Sequence, residues 1–292
     1  MYLLIILVTL ENFWVWQPNK VHQRKYVIQN DQITTFMKRI PLSLLCCILL
    51  VFSCKQQDKK KFQIERSKEL AIKNKVHNKL MDIEKEQGWR LLFDGETLNG
   101  WHLFNNPDST RYSAWEVKEG TIYCNATDES KVFGDLVTDT EFENYELMFE
   151  WQMGLRGNGG VFINVQESPE YKATYETGPE YQLLEPEHMD TDTPLKRPGC
   201  LWGLSSQLNT VEAKPTGQWN SAKIVQQDGQ IQFYLNGILT AEADLTSAEW
   251  TNMVAASNFK DRPAFGKATK GKIALQNWYF ESWFRNMKIR EL

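Results

Sequence analysis

The chain is poor in the residues from which metal and nucleophile sites are most often built. Its 292 residues include four histidines and five cysteines, and no two cysteines stand at the C-x-x-C spacing of a zinc or redox site. A basic excess is also missing: the formal net charge is -4, and beyond residue 53 there are 28 Lys and Arg against 35 Asp and Glu. A mildly acidic body argues against nucleic acid as a partner. The apolar run Ile40 to Phe52 is too short to span a bilayer comfortably. Hydrophobic residues at 42% and charged residues at 24% are ordinary for a globular protein, which excludes both a disordered chain and a membrane bundle.

What is there begins at Met37. From that residue the chain reads MKRIPLSLLCCILLVFSCKQQDKKK, with two positive charges, an apolar run and then Cys54 behind Ser53. This resembles a bacterial lipoprotein signal, in which a small residue precedes the cysteine that takes the lipid. The expectation is a signal peptide over 37–53, lipidation at Cys54, and export to a bacterial membrane on either its periplasmic or its outer side. A short anchor that is never cleaved is the alternative. Residues 1–36 then read as an upstream extension ahead of the true start at Met37. Cys46 and Cys47 leave with the signal, so Cys124 and Cys200 remain, as a disulfide or as two buried thiols.

Residues 54–87 are strongly charged, and Ile72, Val76, Leu80 and Ile83 recur at helical spacing. A tether and an amphipathic helix capped at Gly88 are expected, with the apolar face packed on the chain's own domain. From residue 88 to 292 the character changes, and nine of the eleven tryptophans fall here among short alternating segments. Asp228-Gly229 and Asn236-Gly237 favour type I′ turns, so Trp219 to Leu245 reads as a three-stranded meander. Further strands are expected at 114–117, 121–124, 144–153, 160–166, 180–184, 272–276 and 283–290. The fold class is all-β, a two-sheet antiparallel jelly-roll sandwich in one domain. Two long interruptions, 185–198 and 246–271, read as functional loops over its rim.

Alternation also sorts side chains by face. In Asn144 to Met153, Tyr145, Leu147, Phe149, Trp151 and Met153 face the core. Glu146, Met148, Glu150 and Gln152 face solvent or a binding concavity. Two glutamates four residues apart resemble the strand motif of glucanases, but the central acid of that motif is here Met148. A retaining glycosidase needs carboxyls about 5 Å apart, whereas four residues of strand rise about 13 Å. In Glu180 to Leu184, Glu180 and Gln182 point one way, and Pro186 ends the strand. His188 and Asp190 follow in a loop able to fold over that face, a combination suited to proton transfer or to a hard divalent ion. Glu185 and Glu187 read equally well as solvated loop charges. The turn from Leu155 to Gly160 adds Arg156 and Asn158 beside glycines that allow close approach of a ligand.

Taken together, GWRLLFDGETLNGWHLF, RGNGGVFINV, ETGPEYQLLEPEHMD, GQWNSAKIV, YLNG and GKIALQNWYFESWFRNMKIREL resemble the 3-keto-disaccharide hydrolase family over residues 88–292. The resemblance implies a concanavalin A-like jelly roll that cleaves glycosides oxidised at C3, with a carbohydrate as its partner and a divalent metal ion as a natural stabiliser of an enolate. It implies a polar cluster at Glu150, Arg156, Asn158, Glu180, Gln182 and His188. Within that cluster Glu180, His188 and Glu150 are expected to carry catalysis and Arg156, Asn158 and Gln182 to hold sugar, while Glu180 and His188 with the nearby Asp190 are the expected metal ligands. Where the family often reads L-Q-D-H-G, this chain has Leu275-Gln276-Asn277-Trp278-Tyr279, so Trp278 stands at the usual histidine. Trp278 is then a stacking surface for a sugar or a core residue. Two alternatives to the hydrolase stay open, a carbohydrate-binding protein without turnover and a conventional glucanase. Oligomeric state is not legible.

Overall fold

The segment Tyr145–Met153 alternates strictly between buried and partly exposed residues, the pattern of a strand with one face in a core. The chain, described here from a computed structural model over residues 77–125 and 127–292, has thirteen strands among those residues. In order the strands are β1 (Arg90–Leu91), β2 (Trp101–Leu103), β3 (Trp115–Lys118), β4 (Thr121–Asn125), β5 (Leu136–Thr138), β6 (Tyr145–Met153) and β7 (Asn158–Val165). There follow β8 (Glu180–Leu184), β9 (Asn220–Gln227), β10 (Gln230–Leu235), β11 (Ile238–Asp244), β12 (Lys272–Tyr279) and β13 (Glu281–Glu291). The expected signal peptide, the lipid site Cys54, and Ile72 and Val76 of the expected helix lie outside the described residues.

Every strand pair is antiparallel, in two sheets. One runs β11-β10-β9-β6-β13-β4-β3, with β1 also paired to β13, and the other runs β2-β5-β12-β7-β8. Inward-facing Tyr145, Phe149, Trp151 and Phe284 from the first sheet meet Val161, Tyr181 and Leu183 from the second. Phe149 and Tyr181 touch edge to face across the sandwich with centroids 5.9 Å apart. Each such fully buried large side chain contributes about 1.5–3 kcal/mol of transfer free energy. β8 differs from β6 in being buried on both faces, so something covers its outer side.

The hairpins form as expected, with Asp228, Gly229, Asn236 and Gly237 all at positive φ. Strands β1, β2 and β5 are not visible in the sequence pattern, because two or three residues are too few to show alternation. Cys124 and Cys200 are both buried free thiols. The N-terminal helix departs from expectation. Among the described residues it spans only α1 (Asp82–Glu86), and Ile83 is exposed. Asn78 stops it from starting earlier: at φ 57° it exchanges hydrogen bonds with Asn286, where the β6–β13 register shifts, and also reaches the Gly120 carbonyl. The expected cap does form, since Gly88 sits at φ 83° with its N–H donated to the Lys85 carbonyl. A second helix, α2 (Ala248–Ala255), lies in the loop between β11 and β12. Among the described residues no helix is long and apolar enough to cross a membrane.

Candidate active site

On the outer face of the five-stranded sheet, the β7–β8 register places Gly160 beside Gln182 and Phe162 beside Glu180. Alternation sends Tyr181 and Leu183 into the core and turns Glu180 and Gln182 outward, as the sequence indicates. Both are nonetheless buried. Segments outside the two sheets cover them, Tyr175 from one side and Trp202, Asn258, Phe259 and Arg262 from the loops after β8 and α2. Phe259 is itself stacked on Phe265 at 3.8 Å and set edge-on to Trp202 at 5.8 Å. The result is a cavity of about 260 Å³ with Glu180 and Gln182 on its floor, walled largely by aromatic rings.

The carboxyl of Glu180 lies against the α-carbon of Gly160, where any Cβ would overlap its oxygen, so the glycine is required by close approach. Among the described residues that carboxyl makes no hydrogen bond or ion pair. Burial raises its pKa well above the usual 4.5, and the Asp135 carboxylate adds to the rise. Asp135 is pushed up to about 6 by its own burial, against a hydrogen bond donated by the Thr174 hydroxyl. Gln182 spends its amide N–H groups on Asn158 Oδ1, at 2.8 Å, and on the Leu183 carbonyl, at 3.1 Å. Its Oε1 is buried and, among the described residues, has no hydrogen-bond partner. Because Asn158 accepts through Oδ1, its amide N–H groups are left as donors.

Asn158 and Trp278 also line a second, more open cavity of about 710 Å³, together with Arg156, Glu187, His188, Met189, Asp190 and Phe280. Trp278 is 61% exposed, so its core reading is excluded. It is turned out at a register shift where buried Asn277 donates to the Cys124 and Phe280 carbonyls. Glu185 is not a solvated charge: it is 2% exposed, and its Oε2 accepts the backbone N–H groups of Arg156 and Glu187, both at 2.9 Å. That carboxylate ties the Arg156 turn, which is at φ 58°, to the His188 loop. His188 Nδ1 accepts the Asp190 backbone N–H at 3.1 Å, so the neutral ring carries its proton on Nε2. Burial is the first cause lowering the His188 pKa below 6.5; Asp190 opposes it, Lys196 reinforces it and Glu185 opposes it more weakly. His188 therefore offers a ligand a donor, Nε2–H, and not the lone pair that a base or a metal ligand must supply.

Two expectations are corrected. Glu150 lies on the outer face of the other sheet, where Arg285 Nε donates to it at 2.6 Å, far from Glu180 across the sandwich. Glu146 is likewise paired with Arg290, so this face is a row of ion pairs between β6 and β13 and holds no glucanase pair. Nor do Glu180, His188 and Asp190 converge. Among the described residues no three His, Cys, Asp or Glu side chains are placed to hold a metal ion, and Asp190 is engaged by Lys196 Nζ at 3.0 Å.

Residues 88–290 match the family model of the 3-keto-alpha-glucoside-1,2-lyase-like domain. The chain belongs to that family. It is similar to a 3-keto-disaccharide hydrolase of Bacteroides thetaiotaomicron, 28% identical over 291 residues that cover 88% of this chain and all of that protein. It also resembles the crystal structure of a protein provisionally assigned as a glycosyl hydrolase from Parabacteroides distasonis, with a TM-score of 0.67, 31% identity, and coverage of 74% of this chain and all of that one. A second such structure from the same organism, at TM-score 0.52 and 24% identity over 70% of this chain and 99% of that one, supports the fold alone.

For this member of the 3-keto-alpha-glucoside-1,2-lyase-like family, then, the two-sheet fold is established, and the relatives named above are hydrolases of sugars by their names. Of the residues singled out in the sequence, Asn158, Glu180, Gln182 and Trp278 line the inner cavity, and Arg156, Asn158, His188, Asp190 and Trp278 line the open one. Sequence reasoning missed Tyr175, Trp202, Phe259 and Arg262, which sit in loops without periodicity, and it missed Gly160, whose signal was only a glycine inside a strand.

Proposed function

We propose that this protein cleaves glycosidic bonds of sugars oxidised at C3, and that Glu180 is the base. A ketone at C3 acidifies the C2 proton. Glu180 takes that proton, electron density moves to the C3 oxygen as an enolate, and the enolate expels the C1 oxygen with formation of a C1=C2 double bond; the departing oxygen ends with the proton that Glu180 gives up, directly or through water, which restores the carboxylate. Water then adds, its hydroxyl to C1 and a proton to C2, which gives net hydrolysis. The observation that carries this reading is an unpartnered, buried carboxyl whose raised pKa makes it a strong base once ionised, on the floor of a cavity sized for a single ring.

The neighbours suit the remaining roles. Asn158 supplies amide donors for the enolate oxygen, Gln182 Oε1 accepts a ring hydroxyl, and the leaving sugar lies across Trp278 with Arg156 and His188 Nε2–H on its oxygens. No step draws on a metal ion, because the acidic and histidine residues of the cleft are not arranged to hold one. The test is release of the leaving sugar from a 3-keto-disaccharide and from its unoxidised parent. Release from the keto compound alone is expected. Glu180→Gln should lower kcat by roughly 10²–10⁴-fold, the range a positioned general base contributes, and undiminished turnover would assign the base elsewhere. Saturable binding with no release from either sugar would make this a carbohydrate-binding member of the family, a reading the exposed Trp278 favours.

A further inference from the structure

The cleft does not close on the side away from Trp278. Along β7 and β8 the register sets Asn158 opposite Leu184, Gly160 opposite Gln182 and Phe162 opposite Glu180, so Asn158 and Phe162 are separated by about 13 Å of strand rise. The open cavity beside Trp278 and His188 lies at the Asn158 end. Toward the opposite end, where β7 leads into the segment that carries Tyr171 and Glu176, a third cavity of about 440 Å³ adjoins the inner one. It shares Asn258 and Arg262 with it and is completed by Tyr171, Glu176 and Asp261. The cavity floored by Glu180 is thus flanked by one cavity across Asn158 and Trp278 and by another across Asn258 and Arg262.

The chemistry of this far lobe selects among ligands. Its guanidinium is already held 4.4 Å over the Tyr175 ring, and two carboxylates face the same space, which repels an anionic ligand. Asp261 is exposed and, among the described residues, has no hydrogen bond or ion pair. The unpartnered Asp261 carboxylate in a cavity that Tyr171 also lines suits a neutral polyhydroxylated ring, whose hydroxyls donate to a carboxylate and whose C–H face packs on an aromatic.

Resting on the function proposed above, we infer that the substrate is a glycan of at least three rings. The oxidised ring sits over Glu180 with its leaving sugar toward Trp278, and a further sugar carried on the oxidised ring occupies the lobe of Tyr171 and Asp261. The bond broken remains the one at C1 of the oxidised ring, so the products are the leaving sugar and a 3-keto-disaccharide.

The experiment compares a 3-keto-disaccharide with a trisaccharide bearing one more sugar on the 4- or 6-oxygen of its oxidised ring. Wild-type protein should favour the trisaccharide by roughly tenfold in kcat/KM, the effect of one ordinary binding contact. Tyr171→Ala and Asp261→Ala should each reduce that preference and leave disaccharide turnover unchanged. Cleavage of the disaccharide with no gain from the third ring overturns the inference and spares the function, as does an equal loss on both substrates in the variants. If neither compound is cleaved, the function itself fails, and calorimetry with the unoxidised di- and trisaccharide decides the groove separately. Tighter binding of the trisaccharide that Asp261→Ala removes supports three subsites, and equal affinities overturn them.

Discussion

A carboxyl held away from water keeps its proton to higher pH, and that has a consequence for stability as well as for chemistry. In the unfolded chain Glu180 titrates near 4.5, while in the fold burial and then Asp135 raise it well above that value. A group whose folded pKa is raised contributes its full stabilisation below the unfolded pKa, and the contribution is lost as pH climbs through the folded one. Glu180→Gln removes the charge but keeps the shape. The variant should therefore melt close to wild type at pH 4 and increasingly above it as pH rises, with the gap levelling off beyond the folded pKa; thermal melts across that range check it, and a gap that shrinks with pH would contradict the burial argument. The same titration requires the acid limb of the pH–rate profile to lie above the ordinary carboxylate range, since the base acts only when ionised.

At the scale of elements, strands set the floor of the site and loops make its walls. Glu180 and Gln182 sit where alternation along β8 directs them, but they are enclosed only because Trp202 and Phe259 arrive from distant loops. The two rim loops are held to each other by Glu185, which accepts from Arg156 and Glu187 and whose own N–H donates to the Gly157 carbonyl at 3.0 Å. Glu185→Ala strands two backbone donors and should cost about 1–3 kcal/mol in chemical denaturation, with a rise in KM because Arg156 and His188 lose their anchor. Glu185→Gln keeps an acceptor and should lose less. Equal losses in both would place the role of Glu185 in its charge.

Seen as a whole, the molecule has two unlike outer faces. On the eight-stranded sheet, Glu146, Glu150 and Glu84 are taken up by Arg290, Arg285 and Lys288, and the N-terminal segment from His77 to Trp89 docks there through Asn78. The five-stranded sheet carries the cleft, so the end of the chain that leads back toward Cys54 meets the sandwich on the face away from the site. A lipid on Cys54 would anchor the chain to a membrane through this N-terminal end. Expression of the full sequence in a bacterial host should place the protein in the membrane fraction with labelled fatty acid attached, and Cys54→Ser should release it. Recovery of the unaltered protein in soluble, unlabelled form would refute the anchor.

Local rules of sequence were enough for the all-β class, the I′ hairpins at Asp228-Gly229 and Asn236-Gly237, the Gly88 cap and the outward pair Glu180 and Gln182, because turn chemistry and alternation act between near neighbours. The same rules left the polar face of β6 ambiguous, since alternation says which side a residue faces and not what faces it. Only the pairing of β6 with β13 brought Arg285 and Arg290 onto Glu150 and Glu146 and withdrew that face from catalysis. Likewise, only the folded structure buried Glu180 under Trp202 and Phe259, turned His188 into a donor through the Asp190 backbone, and, among the described residues, grouped no three acidic, histidine or cysteine side chains to hold a metal. The burial of Glu180 and the arrangement of the cleft are set by groups tens of residues away in the chain, and no spacing along the sequence encodes them.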